Sequence, residues 1–327
     1  MTTTTELAVS ASGLVKTFGD FTAVDGIDLE IRRGEVFGVL GPNGAGKTTT
    51  LKMLATLLPI DAGKAEIFGV DVKAHPHQVR QLVGVTGQYA SVDENLTATE
   101  NLVLFGRLLG MSGKSARAAS EELLESFGLQ EAAKRQISKF SGGMRRRLDL
   151  AASLLSRPPL IFLDEPTTGL DPRTRGQMWD TIRTLVAGGS TVLLTTQYLD
   201  EADQLADRLA VMDHGRIIAE GTPAQLKASV GAGTVQVRVL DPARQPEAER
   251  LLTDVLGTTV QTGSDDGALS ARVDDSGRAS LALAGLARAG IDVTTFALGQ
   301  PSLDEVFLAL TGQPAQAGTD THREQAP

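Results

Sequence analysis

The chain has 327 residues, 41% hydrophobic and 22% charged, with a formal net charge of −9; at about 150 residues per domain, that is room for two domains with cores of their own. The carboxylate surplus argues against a general affinity for nucleic acid or anionic lipid, since both attractions need surplus Lys and Arg. Zero Cys excludes disulfides, thiolate zinc sites and a Cys nucleophile.

The N-terminal MTTTTELAVSASG lacks a basic start and an apolar stretch, so it does not read as a secretory signal. No apolar run approaches the roughly 18 residues needed to span a bilayer. From residue 6 to about 220, short apolar runs alternate with amphipathic stretches. VFGVL (36–40), LIFL (160–163) and TVLLTT (191–196) predict buried strands of a parallel sheet with helices on both faces. Helical spacing over 117–127 and 177–187 places Gly128 and Gly188 as stops.

The chemistry begins with GPNGAGKT at 41–48, which follows VFGVL and opens the periodic run TTTLKMLATLL. That is the strand-loop-helix context of a phosphate-binding P-loop. Gly41, Gly44 and Gly46 let successive backbone N–H groups face one anion, and the dipole of the following helix adds to the attraction. Lys47 supplies a point charge for the β and γ phosphates, and the Thr48 hydroxyl is placed to ligate Mg²⁺. The nucleotide-binding stretch thus comprises Gly41, Pro42, Asn43, Gly44, Ala45, Gly46, Lys47, Thr48 and Thr49.

LIFLDEP at 160–166 ends a buried strand in two adjacent carboxylates. Asp164 is placed to hold Mg²⁺, and Glu165 to polarise the water that attacks the γ-phosphate. Such a pair alone would be an ordinary strand-end turn; the P-loop gives it its meaning.

Together these motifs resemble an ATP-binding cassette, the motor subunit of ABC transporters. FSGGMRRRLDLA (140–151) resembles the family signature LSGGQ, with Phe140 and Met144 in place of the usual Leu and Gln. Ser141, Gly142 and Gly143 precede a helix and form a second anion cradle; the resemblance implies that it binds the γ-phosphate held by the opposite subunit. By the same likeness Phe18 stacks on adenine, with Phe21 as competitor, and Gln88 reaches the Mg²⁺ and the attacking water. Asp171 in TTGLDP belongs to the loop that links the two sites of a dimer. Where most cassettes carry a switch His, this chain has Gln197, which can sense a γ-phosphate but cannot carry a proton near neutral pH.

After Gly221 and Pro223 the pattern changes. VQVRVL (235–240), a helical 247–256, TTVQT (258–262), ALSARV (268–273), a helical 278–290 and DVTTFAL (292–298) give a β-α-β-β-α-β order. This predicts a small ferredoxin-like α+β domain, followed by a helix in SLDEVFLALTG. Residues 228–327 carry seven Lys/Arg against thirteen Asp/Glu, a poor setting for phosphates. The expected organisation is a cassette at 6–225, with a helical signature subdomain at about 90–157, a C-terminal domain at 228–312 and a disordered tail at 313–327.

The strings VTGQYASVDENLTATENL, SGGMRRRLDLA, TTQYLDEADQLADR and SLDEVFLALTG resemble the daunorubicin/doxorubicin resistance branch of the family. The likeness implies an ATPase that uses ATP and Mg²⁺ and acts as a homodimer around two ATP. It further implies a separate integral membrane permease, a hydrophobic drug such as an anthracycline as exported cargo, self-resistance, and a peripheral place on the cytoplasmic face of the cell membrane, with no nucleic acid partner. The alternatives are a non-transport cassette or an exporter of a lipid-like compound. Non-transport relatives carry two cassettes or a long coiled-coil insertion, and sustained heptads are absent from this sequence. A regulatory ligand site in the acidic domain is a third class, against which stands a domain that only braces the dimer.

Overall fold

The computed structural model describes residues 6–86, 92–229, 233–262, 267–273, 276–299 and 302–311. It divides into two compact units, one ending at Glu220 and one beginning at Gly221. Along the first run β1 (Leu7–Phe18), β2 (Phe21–Arg32), β3 (Val36–Leu40), α1 (Lys47–Leu54), β4 (Ala62–Ile67), β5 (Val70–Asp71), α2 (Pro76–Leu82) and β6 (Val83–Thr86). There follow α3 (Ala98–Leu108), α4 (Gly113–Ser126), α5 (Gly142–Ser153), β7 (Leu160–Asp164), α6 (Pro172–Ala187), β8 (Thr191–Thr196), α7 (Leu199–Leu205), β9 (Arg208–Asp213) and β10 (Arg216–Gly221).

A six-stranded sheet in the order β10-β9-β3-β8-β7-β6 forms the centre, with β9, β3, β8, β7 and β6 mutually parallel. All residues of β3, β7 and β8 are buried, as unbroken apolar runs covered on both faces require. The expected strands at 36–40 and 191–196 coincide with β3 and β8, and 160–163 lies within β7. Because β3, β7 and β8 are parallel neighbours, their C-terminal ends deliver Gly41, Glu165 and Gln197 to one edge of the sheet.

The structure adds a second sheet, antiparallel, in the order β2-β1-β4-β5. The sequence reading did not separate it from the parallel core. Its signal was period-two alternation in β2, where the apolar side chains Ile27, Leu29 and Ile31 are buried and their neighbours are not. Helix boundaries moved for local reasons. The helix expected over 177–187 begins at Pro172, because Asp171 caps it and Pro suits the first turn. At its end Gly188 has an ordinary φ, and Gly189 takes the left-handed conformation at φ 94°. Helix α1 stops at Leu54 because Thr56 turns left-handed (φ 62°) and the Leu57 N–H bonds back to the Lys52 carbonyl at 2.8 Å. That C-terminal cap is more usual with Gly.

The second unit holds α8 (Pro223–Ser229), β11 (Gly233–Val239), α9 (Gln245–Leu256), β12 (Val260–Thr262), β13 (Ala268–Val273), α10 (Ser276–Arg288), β14 (Val293–Gly299) and α11 (Leu303–Thr311). Its sheet runs β12-β13-β11-β14, antiparallel throughout, which is the ferredoxin-like arrangement. Val235, Val237 and Val239 of β11 pack with Leu252, Leu256 and Leu286 in a core of its own.

Two buried contacts in the first unit have measurable consequences. A Cβ on Gly143 would lie 2.3 Å from Cγ2 of Thr174, so Gly143→Ala is expected to destabilise by about 1–3 kcal/mol. Adding Thr174→Ser, which removes only the methyl, should restore most of that loss; identical melting temperatures for the single and double variants would refute the clash. Glu201 of α7 is 0% exposed, accepts a hydrogen bond from Trp179 Nε1 at 3.3 Å, and has its pKa raised by burial. The folded chain therefore keeps a proton there that the unfolded chain gives up. The stability this group contributes is full below the ordinary value of 4.5 and is lost as pH rises towards the folded value. Glu201→Gln should thus gain melting temperature over its parent progressively from acid towards neutral pH, and a pH-independent difference would contradict this.

Candidate nucleotide-binding site

The loop between β3 and α1 is set by two glycines that cannot be replaced without displacing main chain. A Cβ on Gly41 would approach the Met212 carbonyl oxygen to 2.3 Å, and one on Gly46 (φ 103°) the Ala23 carbonyl oxygen to 2.3 Å. Gly44 is different: its φ is 83° and nothing lies within 4 Å of its would-be Cβ. Its open side fits close approach by a ligand. The Gly41 N–H bonds the Thr196 carbonyl at 3.3 Å, and the Gly215 N–H bonds the Ala45 carbonyl at 3.0 Å. The loop is thereby tied to β8 and to the turn after β9.

Lys47 opens α1 and is buried. Its Nζ donates to the carbonyls of Gly41 (2.8 Å) and Pro42 (3.0 Å) and lies 3.6 Å from Glu165 Oε1. Burial pulls the Lys47 pKa down, and the neighbouring Glu165 pulls it back up. A buried ammonium needs such partners, since an isolated one is prohibitively costly.

The carboxylate pair closes β7: Asp164 is the last residue of the strand, and Glu165 follows it directly. Asp164 Oδ1 accepts from Thr48 Oγ1 (2.9 Å) and from Thr195 Oγ1 (2.6 Å). Glu165, also buried, has φ 47°. A non-glycine residue in that region carries about 1–3 kcal/mol of strain and persists only where its surroundings over-determine it. Here the Glu165 N–H bonds both the carbonyl (3.0 Å) and the hydroxyl (3.2 Å) of Thr195, and Thr168 Oγ1 donates to Oε2 at 3.3 Å.

Phe18 and Phe21 face each other across the β1–β2 hairpin and are 47% and 62% exposed. Both line a cleft of about 280 Å³ together with Ala23, Asn43, Gly44, Ala45, Gly46, Lys47, Thr48, Thr49 and Glu165. The structure therefore brings the aromatic, the P-loop and one carboxylate into one cavity, with Asp164 attached through Thr48. Thr48 Oγ1 and the Asp164 carboxylate form a pair of hard oxygen donors, the chemistry that Mg²⁺ selects. They fit the ion as its protein ligands.

Other expected residues stand apart from this cleft. Ser141 caps α5, accepting from the Met144 N–H at 3.3 Å, and neither it nor Gly142 nor Gly143 lines the cavity. Asp171 caps α6, accepting from the Thr174 N–H (3.0 Å) and Oγ1 (2.6 Å), and these bonds hold its pKa below the usual range. Thr174 also packs on Gly143, so the Ser-Gly-Gly loop and the Asp171 loop rest on one another. Gln197, half-buried, follows β8 directly and is outside the cavity lining. Gln88 lies outside the described residues. Thr195, which bonds both members of the carboxylate pair, went unread because a Thr in a buried strand carries no motif.

Comparison with known proteins places both units. Residues 24–168 match the family model described as "ABC transporter", and residues 221–311 that described as "ATP-binding protein DrrA1-3-like, C-terminal domain". The chain is 58% identical over 315 residues to the daunorubicin/doxorubicin resistance ATP-binding protein DrrA of Streptomyces peucetius, covering 96% of each. It is 41% identical over 307 residues to the Nod factor export ATP-binding protein I of Burkholderia lata, covering 92% of this chain and 96% of that one. Among solved structures, the dimeric post-hydrolysis state of the ATP-binding cassette MJ0796 bound to ADP and Pi superimposes with a TM-score of 0.60 at 26% identity, covering 65% of this chain and 98% of that one. With a P-loop, a strand-end carboxylate pair and a Ser-Gly-Gly helix start on this fold, the chain belongs to the ABC transporter ATP-binding family, in its daunorubicin/doxorubicin resistance branch.

Proposed function

We propose that this chain is the ATP-hydrolysing motor subunit of an ABC exporter, working as a homodimer that closes on two ATP and reopens after hydrolysis. The observation that carries the reading is that one cleft holds Phe18, the P-loop, Lys47, Thr48 and Glu165, yet takes nothing from Ser141–Gly143. A second anion cradle that stands off from the first in its own subunit is suited to completing the site of a partner copy. The MJ0796 cassette, solved as a dimer with ADP and Pi, supports that arrangement.

The adenine stacks on Phe18 or Phe21, sequence-tolerantly because any base offers a π-face. As the triphosphate enters, the Lys47 ammonium leaves the Gly41 and Pro42 carbonyls and Glu165 for the β and γ phosphates, and the loop N–H groups take the remaining charge. Glu165, released from that ion pair, orients a water and accepts its proton. Thr48 and Asp164, and by resemblance Gln88, would hold Mg²⁺, which would supply charge neutralisation for the triphosphate. Asp171 connects the two sites, and Gln197 reports the γ-phosphate.

Among the described residues no helix is long and apolar enough to cross a membrane, so cargo passage falls to a separate permease. The chain then sits peripherally on the cytoplasmic face of the membrane. The names of the drug-resistance relatives favour a hydrophobic, anthracycline-like cargo; the Nod factor relatives keep a lipid-like one as the second reading.

Lys47→Ala is expected to weaken ATP binding about tenfold to a hundredfold, the worth of a charge-assisted contact; unchanged affinity in a fluorescence titration would overturn the P-loop role. Glu165→Gln is expected to bind ATP normally, accumulate as an ATP-bound dimer on size exclusion, and lose about 10²–10⁴-fold in phosphate release. Near-parental release would assign the proton acceptance to another residue.

A further inference from the structure

Arg146 lies on α5, five residues beyond Ser141 and thus about 7.5 Å further along the helix axis. Its guanidinium reaches the end of β7 and donates to three consecutive carbonyls: Nη2 to Asp164 (2.8 Å) and Glu165 (3.1 Å), and Nε to Pro166 (3.1 Å). That turn carries Glu165 in its left-handed conformation. Burial pulls the pKa of the guanidinium down, and Asp149, Asp164, Glu201 and Glu165 pull it part of the way back up. Only a planar fork with several fixed donors can hold three successive carbonyls of a turn. The N-terminal turn of the same helix is independently seated, through Gly143 on Thr174 and Thr174 on Asp171.

We infer that Arg146 is a positioning residue for hydrolysis, fixing the turn that presents Glu165 relative to the Ser141–Gly143 loop on its own helix. This rests on the reading of Glu165 as the group that accepts the proton of the attacking water. Arg146 is not itself among the residues that line the cleft; it reaches the cleft-lining Glu165 through the main chain of 164–166. In the proposed dimer, the loop and the Glu165 of one subunit serve opposite nucleotides. The guanidinium is then a direct hydrogen-bonded link by which capture of a γ-phosphate at one site sets the geometry of the other.

The test compares Arg146→Met, which removes the donors, with Arg146→Lys, which keeps the charge but not the fork, in the full chain. Binding of a fluorescent ATP analogue, KM and kcat for phosphate release, and the melting temperature are measured. The expected result is affinity and KM within about twofold of the parent, and kcat lowered about tenfold or more in the Met variant and by an intermediate factor in the Lys variant. In the Glu165→Gln background, Arg146→Met should cause no further loss, because the group it positions is gone.

A kcat within about twofold of the parent in a folded variant overturns the inference. So does a fall in kcat matched by an equal loss of ATP affinity, which would mean a collapsed cleft, or a full multiplicative loss in the Glu165→Gln background. If the Met variant does not fold, the Lys variant decides alone. A Glu165→Gln chain that hydrolyses at the parental rate instead removes the assignment of Glu165, whatever the Arg146 variants do.

Discussion

The site depends on how a buried ammonium is kept charged. Lys47 is enclosed at the start of α1, where its charge is tolerated only because two carbonyls and the Glu165 carboxylate surround it. Those partners exist only if the chain before it curls through Gly41 and Gly46 and the chain after β7 turns left-handed at Glu165. The left-handed turn at Glu165 is costly by itself, and both Gly41 and Glu165 are held by a bond to a neighbouring strand: Gly41 to Thr196, Glu165 to Thr195. The parallel order of β3, β8 and β7 makes those bonds available. Fold and charge are thus one constraint, since the sheet supplies acceptors and donors at its C-terminal edge and the lysine uses them.

Much of this was legible because it is local. The P-loop, the strand-end carboxylates and the Ser-Gly-Gly helix start are contiguous strings whose residue types dictate their backbone, and the strands at 36–40 and 191–196 follow from unbroken apolar runs. The ferredoxin-like order after 221 was also legible, because β11 and β13 alternate and the helices between the strands show their period. The antiparallel sheet of β1, β2, β4 and β5 was not. It pairs Val9 with Ile67, and such a register is set by tertiary packing rather than by any short string. Arg146 was hidden for the same reason, since one Arg among RRR on a helix gives no sign that its partners lie at 164–166.

The division of charge between the units also has a physical reading. Residues 228–327 carry −6 of the chain's net −9, and the core of the second unit is a set of Val, Leu, Ala and Ile. Phosphate binding is confined to the first unit, where helix N-termini and a buried lysine outweigh the surrounding carboxylates locally. An overall acidic chain can therefore be an anion binder, because the field at a loop of aligned N–H groups is set within one helical turn and not by the net charge.

Gln197 fits the same logic. The residue before it, Thr196, is fixed on both sides: its carbonyl accepts from the Gly41 N–H and its hydroxyl from the Tyr198 N–H at 2.9 Å. The Tyr198 ring lies 4.9 Å beneath the Arg175 guanidinium of α6, the helix that Asp171 caps. The backbone on either side of Gln197 is thus fixed to the P-loop and to that helix, the setting in which, as proposed, its amide registers a phosphate by hydrogen bonding. It does not need to titrate to do so, and an amide cannot. On the proposed reading the proton of the attacking water is accepted elsewhere, and among the described residues that line the cleft the carboxylate is Glu165. Glu165 sits in a left-handed turn, and the main chain of 164–166 is held there by Thr195 and Arg146.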